Sequence, residues 1–429
     1  MSDVQIQDRL VSLDAFRGLT IAGMTLVNNP GTWSSIYGPL KHAEWHGVTP
    51  TDYIFPFFLF IVGVAIPISL PRRVRDGISS QTYLGISARA AKIFLLGIVI
   101  YAIPFFDFAE ADGPQWIKLL ISIGFSAALF FYLTDRKKMA GIIAGVSVIA
   151  IAGIYAAGIG MVGHDPATMR IPGVLQRIAV CYFVVSIIYL HTDWKQQAAV
   201  GAALLLIYWF IMTVITVPGC AVTSIDDKAC NLAAYVDRLV LTENHLWSQA
   251  KVYDPEGLLS TVPAIVTTIC GVLTGTWLRT DRSKFEKGGG LFFGGTILLS
   301  AGWSWSLLFA LNKALWTSSY VLYTAGLALL TLGFCYWLID VKGYHRWSKP
   351  LVIFGVNALA LYAFSGIMSN MLGLIKLPGD LTLQDWLFGN LFLSWADPIN
   401  ASLAFAVSYV LLWLTIMWVF YKKGIFIKV

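Results

Sequence analysis

Residues 26–69 read LVNNPGTWSSIYGPLKHAEWHGVTPTDYIFPFFLFIVGVAIPIS. An apolar run ends at Asn28 and Asn29. A short polar loop follows with Lys41, His42, Glu44, Trp45 and His46, and a second apolar run opens with Asp52 in its first turn. Two apolar runs joined by so short a loop read as membrane helices. Ionisable groups this close to hydrocarbon are costly and by default mark a functional site. Histidine titrates nearest working pH, so it can act there as a general base.

The rest of the chain agrees with that reading. Of its 429 residues, 57% are hydrophobic and 13% are charged, whereas a soluble domain carries roughly 25% charged residues. The fold class is therefore all-α, a polytopic membrane bundle forming one domain over residues 1–429. It should have about twelve spans of about 20 residues each. Their soft boundaries are 15–30, 50–70, 90–106, 116–134, 139–161, 171–190, 197–217, 258–278, 289–311, 316–339, 350–373 and 399–421.

Basic residues gather in alternate loops. One set holds Arg72, Arg73 and Arg75, then Arg136, Lys137 and Lys138, then Arg279, Arg282, Lys284 and Lys287, then Lys342, Arg346 and Lys349, then Lys422, Lys423 and Lys428. Placing that set inside puts both termini in the cytoplasm and the His42 loop on the outer face. The net charge of +6 then belongs to loop asymmetry and is no nucleic-acid signature. The polar first residues, 1–13, and the absence of a small-residue cleavage site predict that the N-terminus is retained. No P-loop, GxGxxG or metal-spaced His/Cys cluster is visible, so no metal is expected.

The one long loop, 218–257, also falls outside and is short enough to be a small lid. Cys220 and Cys230 lie in it, and in an oxidising compartment they pair as a disulfide. Cys181, Cys270 and Cys335 lie inside apolar spans and read as small packing residues. The aromatic stretch 380–397 reads as an amphipathic segment at the outer interface.

Several polar residues carry both a bland and a functional reading. Asp14 and Arg17 sit three apart on one helix face, either as a local ion pair or with Arg17 on an anionic cofactor. Asn28 and Asn29 either end a helix or present a carboxamide to substrate. His42 lies ten residues before Asp52, whose carboxylate would orient an imidazole. Arg170, Gln176 and Arg177 flank the Pro172–Gly173 break, and an arginine as deep as Arg177 needs a partner or a polar cavity. Asp254 and Glu256 precede a span, where capping is the bland reading. Trp316, Ser319, Tyr320 and Asn357 put polar groups into apolar helices, where helix–helix bonding is the bland reading.

At these residues the chain resembles the heparan-α-glucosaminide N-acetyltransferase family of transmembrane acetyltransferases, as a bacterial member. The matching stretches are RLVSLDAFRG, VNNPG, KHAEWHGVTPTDYIFPFFLFIVG, RIPGVLQRIAVCYFVV, VDRLVL with NHLW, YDPEGLLST, NKALWTSSYV, DVKG and GVNALALY. The resemblance implies a multi-pass enzyme of the bacterial inner membrane. It would take the acetyl group of cytoplasmic acetyl-CoA and deliver it to a glucosamine-type amine on the outer, periplasmic face. It places the catalytic histidine on His42, a partner asparagine on Asn28 and an acid on Asp52. Arg170 and Arg177 match the family's motif arginines. The expected cofactor-binding set is Arg17, Arg170, Gln176, Arg177, Trp316, Ser319 and Asn357.

Where the family motif has asparagine before its glycine, this chain has His46, and 107–165 resembles an added helix pair. For a bacterial member, amino sugars from chitin or cell-wall recycling are the more reasonable acceptors. Direct transfer and an acetyl-histidine intermediate both remain open. Two rivals are a proton-coupled transporter of amino sugars or muropeptides built on His42, Asp52 and Arg177, and an O-acyltransferase of a cell-surface glycan. Expected partners are acetyl-CoA, the sugar acceptor and membrane lipid, with a second copy of the chain as a candidate and no nucleic acid.

Overall fold

Hydrocarbon offers the backbone no hydrogen-bond partner, so apolar runs of this length must satisfy themselves as helices. The computed structural model describes residues 10–71, 77–103, 105–108, 115–163, 165–377 and 381–427. Arg72, Arg73, Arg75 and Lys428, used above for orientation, lie outside the described residues.

In chain order the helices are α1 (Val11–Asn28), α2 (Ile54–Ser69), α3 (Ser80–Ala102), α4 (Gln115–Leu133), α5 (Lys137–Ala156), α6 (Val174–His191), α7 (Trp194–Val214) and α8 (Leu232–Leu241). They continue with α9 (Leu258–Leu278), α10 (Lys284–Trp305), α11 (Ser318–Tyr336), α12 (Lys349–Val356), α13 (Ala358–Leu374), α14 (Leu383–Leu391) and α15 (Pro398–Lys422). Two three-residue strands, β1 (Phe106–Phe108) and β2 (Met161–Gly163), pair antiparallel. Apart from this strand pair the described elements are helices, and the protein is a multi-pass helical membrane protein.

Among the described residues, 9 helices are long and apolar enough to cross a membrane, or 10 if the pair α12–α13, bent by 80°, is one span. The sequence predicts about twelve spans. Each expected span falls on a helix, but α1 carries Asp14 and Arg17, and α10 begins with Lys284, Glu286 and Lys287, so neither is uniformly apolar. The third span also starts earlier than expected. Its helix begins at Ser80 because SQTYLGISAR is helical although polar.

The chain divides into two compact units. The first comprises Met1–Thr20, His42–Gly97 and Met169–Val352; the second comprises Ile21–Lys41, Ile98–Thr168 and Ile353–Val429. In the first unit α2 lies on α9 at backbone contact. A side chain on Gly63 would strike the Thr268 carbonyl, and one on Gly271 would strike that of Phe60. Small residues give membrane helices this close approach, because lipid offers no hydrophobic drive to bring them together. Phe16, Phe60, Val64, Leu332 and Ile339 form the adjoining core.

In the second unit α4 and α5 form the helix hairpin expected within 107–165, tied off by β1 and β2. Asn357, at the bend between α12 and α13, donates Nδ2–H to the Ile425 carbonyl at 2.9 Å and accepts from the Ile427 N–H at 2.9 Å.

Candidate functional site

The His42 loop is pinned on both sides within the first unit. Trp45 donates its indole N–H to the Ile225 carbonyl at 2.8 Å, and the Gly47 N–H donates to the Leu311 carbonyl at 2.8 Å. Gly47 has φ +92°, a conformation glycine adopts without strain. His46 is spent in the same clamp. The Asn312 amide lies 3.3 Å from its Nδ1, and its Nε2 lies 2.9 Å from an Asp226 carboxylate oxygen. Asn312 Oδ1 accepts from the Leu315 N–H at 2.9 Å, so its amide nitrogen is the end that faces His46. An amide nitrogen only donates, so His46 accepts at Nδ1 and donates from Nε2. Both ring nitrogens of His46 therefore have structural partners.

His42 differs. Its Nδ1 lies 2.6 Å from Asp52 Oδ1. The imidazole side chain is 51% exposed while Asp52 is 1% exposed. Asp52 Oδ2 accepts from the Ala43 N–H at 3.1 Å, the Thr49 N–H at 2.9 Å and the Thr49 hydroxyl at 3.1 Å. The other partners of this carboxyl are all donors, so it accepts from His42 Nδ1–H as well, which leaves Nε2 as the acceptor nitrogen of the neutral ring. Thr49 and Asp52 also form a capping box on the 3-10 turn Pro50–Tyr53 that leads into α2, so the helix start itself orients the acid. The Tyr320 hydroxyl donates to the Asp52 carbonyl at 2.5 Å.

Lys313 joins this pair. Its Nζ lies 3.0 Å from His42 Nδ1, 3.2 Å from His42 Nε2 and 3.7 Å from Asp52 Oδ1. It sits on a tight turn in which Trp316 N–H bonds the Lys313 carbonyl and Thr317 N–H bonds that of Asn312. Trp316 takes φ +51° there, an uncommon conformation for a bulky residue and one that tends to gather at functional sites. Burial lowers the Lys313 pKa, while the Asp52 and Glu256 charges oppose it.

A chain of contacts leads inward from Asp52. Tyr320 packs edge-on to Trp316 with ring centroids 5.4 Å apart, and the Arg177 guanidinium lies 5.0 Å from the Trp316 ring centre. Trp316 is fully buried and donates its indole N–H to Thr267 at 3.1 Å. Arg177 is 2% exposed. It donates from Nη2 to the Gly257 carbonyl at 3.1 Å and to the Ser260 hydroxyl at 2.5 Å. Its Nε and Nη1 have no hydrogen-bond partner among the described residues.

Arg170 is differently placed. It donates to both Asp254 oxygens at 2.9 and 2.6 Å and to Glu256 at 2.5 Å. Burial acts to lower its pKa, but these two acids raise it above the ordinary guanidinium value. Asp254 and Glu256 therefore serve an ion pair. The first N–H of α9 is capped instead by Asp237, which accepts from Leu258 at 2.8 Å.

The remaining expected residues are placed as follows. Arg17 pairs with Asp14 at 3.0 Å. The Gln176 side-chain oxygen packs against Gly97 and Gly173. Ser319 donates to the Phe309 carbonyl at 2.5 Å. Asn28 belongs to the second unit, where it lines a cavity of about 210 Å³ with Asn29, Tyr362, Ser365, Ser369 and Asn370. The sequence reading passes over Lys313, Asn312 and Asp237 as site residues. The one signal for Lys313 is its position as the only cation in FALNKALWTSSY.

The loop 218–257 carries the Cys220–Cys230 disulfide and the amphipathic helix α8. Burial pushes the Asp237 carboxyl up to about 6, against 3.8 for the free group. The fold then holds this proton more tightly than the unfolded chain does. Its stabilising effect is full below about pH 4 and is lost as pH rises through about 6, roughly 3 kcal/mol in all. Amide exchange in α8, corrected for intrinsic rates, should be slower at about pH 5 than at about pH 7. Equal protection at both would remove Asp237 as the cause.

Fold and site together define a multi-pass membrane protein with a carboxylate-anchored, half-exposed histidine. A family model described as a domain of unknown function (DUF5009) matches residues 9–234, more than half of the chain, and the chain belongs to that family. It is also similar to two proteins named heparan-alpha-glucosaminide N-acetyltransferase. The one from Mus musculus is 26% identical over 98% of this chain and 61% of its own length. The one from Homo sapiens is 24% identical over 98% of this chain and 60% of its own length. The chain thus spans about three-fifths of the length of these relatives. The resemblance drawn from the motifs holds along nearly the whole chain.

Proposed function

We propose that this protein is a transmembrane N-acetyltransferase that moves the acetyl group of cytoplasmic acetyl-CoA to the amine of a glucosamine-type sugar on the outer face of a bacterial inner membrane. The observation that carries the reading is the His42–Asp52 pair, a half-exposed imidazole anchored at 2.6 Å on a buried carboxylate. It agrees with the names of the two relatives.

In this reading an acceptor ammonium gives a proton to His42 Nε2. The freed amine attacks the thioester carbonyl, the tetrahedral adduct loses a second nitrogen proton to solvent and expels the CoA thiolate, and the imidazolium returns its proton to that thiolate. The general-base step contributes about 10²–10⁴-fold. Arg177 is the strongest candidate for the donor. A buried guanidinium with two unpartnered nitrogens is costly unless an acceptor atom reaches it. Trp316 holds its plane, and Ser319 braces the turn that carries Trp316. Arg170 is the weaker candidate, because Asp254 and Glu256 already engage it. The roles expected of Asn28, Arg17, Gln176 and Asn357 rest on the sequence alone.

The test is purified protein in vesicles with acetyl-CoA on one side and glucosamine on the other, with no ion gradient. Mass spectrometry should find N-acetylglucosamine and free CoA in equal amounts. Gradient-dependent uptake of unmodified glucosamine, with acetyl-CoA untouched, would replace the enzyme reading with the transporter one. Acetyl ester on a hydroxyl would make it an O-acyltransferase.

A further inference from the structure

We propose that Lys313 is a positioning residue for His42. Its ammonium, within 3.0–3.2 Å of both ring nitrogens and 3.7 Å of Asp52, balances the buried carboxylate so that the imidazole stays neutral and able to accept a proton. The proposal rests on the general-base reading of His42 given above.

The argument is one of sign. A carboxylate beside an imidazole favours the imidazolium, and an imidazolium cannot take a proton from an amine. Asp52 is at 2.6 Å and 1% exposed, so solvent does little to weaken that pull. Left alone, the pair would be well oriented but biased toward the imidazolium, which has no lone pair to accept a proton. A cation at nearly the same distance on the same ring favours the neutral form and opposes the carboxylate. Among the described residues Lys313 is the cation placed there, with its side chain 20% exposed; burial works against its charge, and the Asp52 and Glu256 carboxylates favour it.

The other titratable groups do not replace it. Glu44 flanks His42 in sequence. Glu256 and Arg177 act on Lys313 with opposite signs, Glu256 favouring its charged form and Arg177 disfavouring it. Tyr320 bonds the Asp52 carbonyl, not its carboxylate.

The geometry also explains the clamp around Lys313. Asn312 and Thr317 close the turn that carries it, through the Asn312 N–H to Thr317 hydroxyl bond at 3.1 Å. The same Asn312 holds His46 at 3.3 Å. The turn and the histidine loop are thus one assembly, and Lys313 is aimed by it.

The test reads His42 directly. Histidine-selective NMR titration of the whole protein in detergent, without donor or acceptor, follows the ring, and His42→Asn identifies its resonance. In Lys313→Met the His42 midpoint should rise by about one pH unit or more, and in Lys313→Arg it should stay within about 0.3 of the parent. An unmoved midpoint in Lys313→Met overturns the proposal. Should Lys313→Met fail to fold, Asp52→Asn leaves the ring facing Lys313 alone. Its midpoint should then fall below the free-histidine value of about 6.5, and a midpoint at or above that value overturns the proposal.

Amine acetylation is measured on the same preparations. Lys313→Met should be slowed about 10-fold or more at about pH 6.5 and recover at about pH 8.5. A loss that does not recover with pH assigns Lys313 a merely structural or substrate-contact role and overturns the proposal. If the parent acetylates nothing, the enzyme reading fails, while the titration still decides what Lys313 does.

Discussion

Alanine at position 42 is expected to slow acetyl transfer by about 10²-fold or more while the protein stays folded, the scale of a lost general base. His42 is 51% exposed in its side chain, so truncation opens no cavity. The Asp52 carboxylate it leaves behind retains its bonds from Ala43 and Thr49. Acetyl-CoA binding should be kept. His42→Asn should be equally slow, since an amide can hold Asp52 but cannot take the proton. His46→Ala should cost far less in rate, because that ring is already committed to Asp226 and Asn312. Its cost should appear as a looser 218–257 loop. Single-turnover kinetics with acetyl-CoA and glucosamine check this. A near-parent rate for His42→Ala beside a dead His46→Ala would move the base to position 46.

How much of this was legible in the sequence depends on the range of each interaction. The His42–Asp52 pairing could be anticipated, because ten residues and a TPTD turn fold back on themselves locally. The Asp14–Arg17 pair was legible for the same reason, being one helical turn apart. Lys313 lies 271 residues from His42, and no local pattern can announce such a contact. The same limit hid Asp237, which reaches the first turn of α9 from 21 residues upstream. That reach left Asp254 and Glu256 free to pair with Arg170, where local reasoning had favoured capping. Span number was blurred for another reason. Hydropathy weighs composition, whereas α1 and α10 are helices that keep charged residues in or beside them. The bend of 80° at Asn357 depends on what the side chain meets at Ile425 and Ile427.

Arg170→Ala should give the largest loss of stability, about 3–5 kcal/mol, the usual cost of breaking a buried ion pair. Asp254 is 0% and Glu256 10% exposed at the side chain, and Arg170 is bonded to both. Removing it leaves two like charges facing each other with no cation bonded to either. Asp237 lies close enough for the Asp254 charge to raise its pKa, so a third acid adds to the repulsion. Arg177 does not replace the lost partner, since its bonds run to the Gly257 carbonyl and Ser260. The deficit has a pH signature. The abandoned carboxylates take up protons as pH falls, so Arg170→Ala should approach the parent in mildly acid solution and diverge from it at neutral pH. Arg170→Lys should lose less, keeping the charge but not the two-pronged contact. The compensated triple variant Arg170→Met, Asp254→Asn, Glu256→Gln should recover most of the stability, because no buried charge then lacks a partner. Thermal unfolding in detergent across that pH range measures all three. An Arg170→Ala protein that melts like its parent at neutral pH would show that the two acids are solvated or already protonated, and the ion-pair assignment would fall.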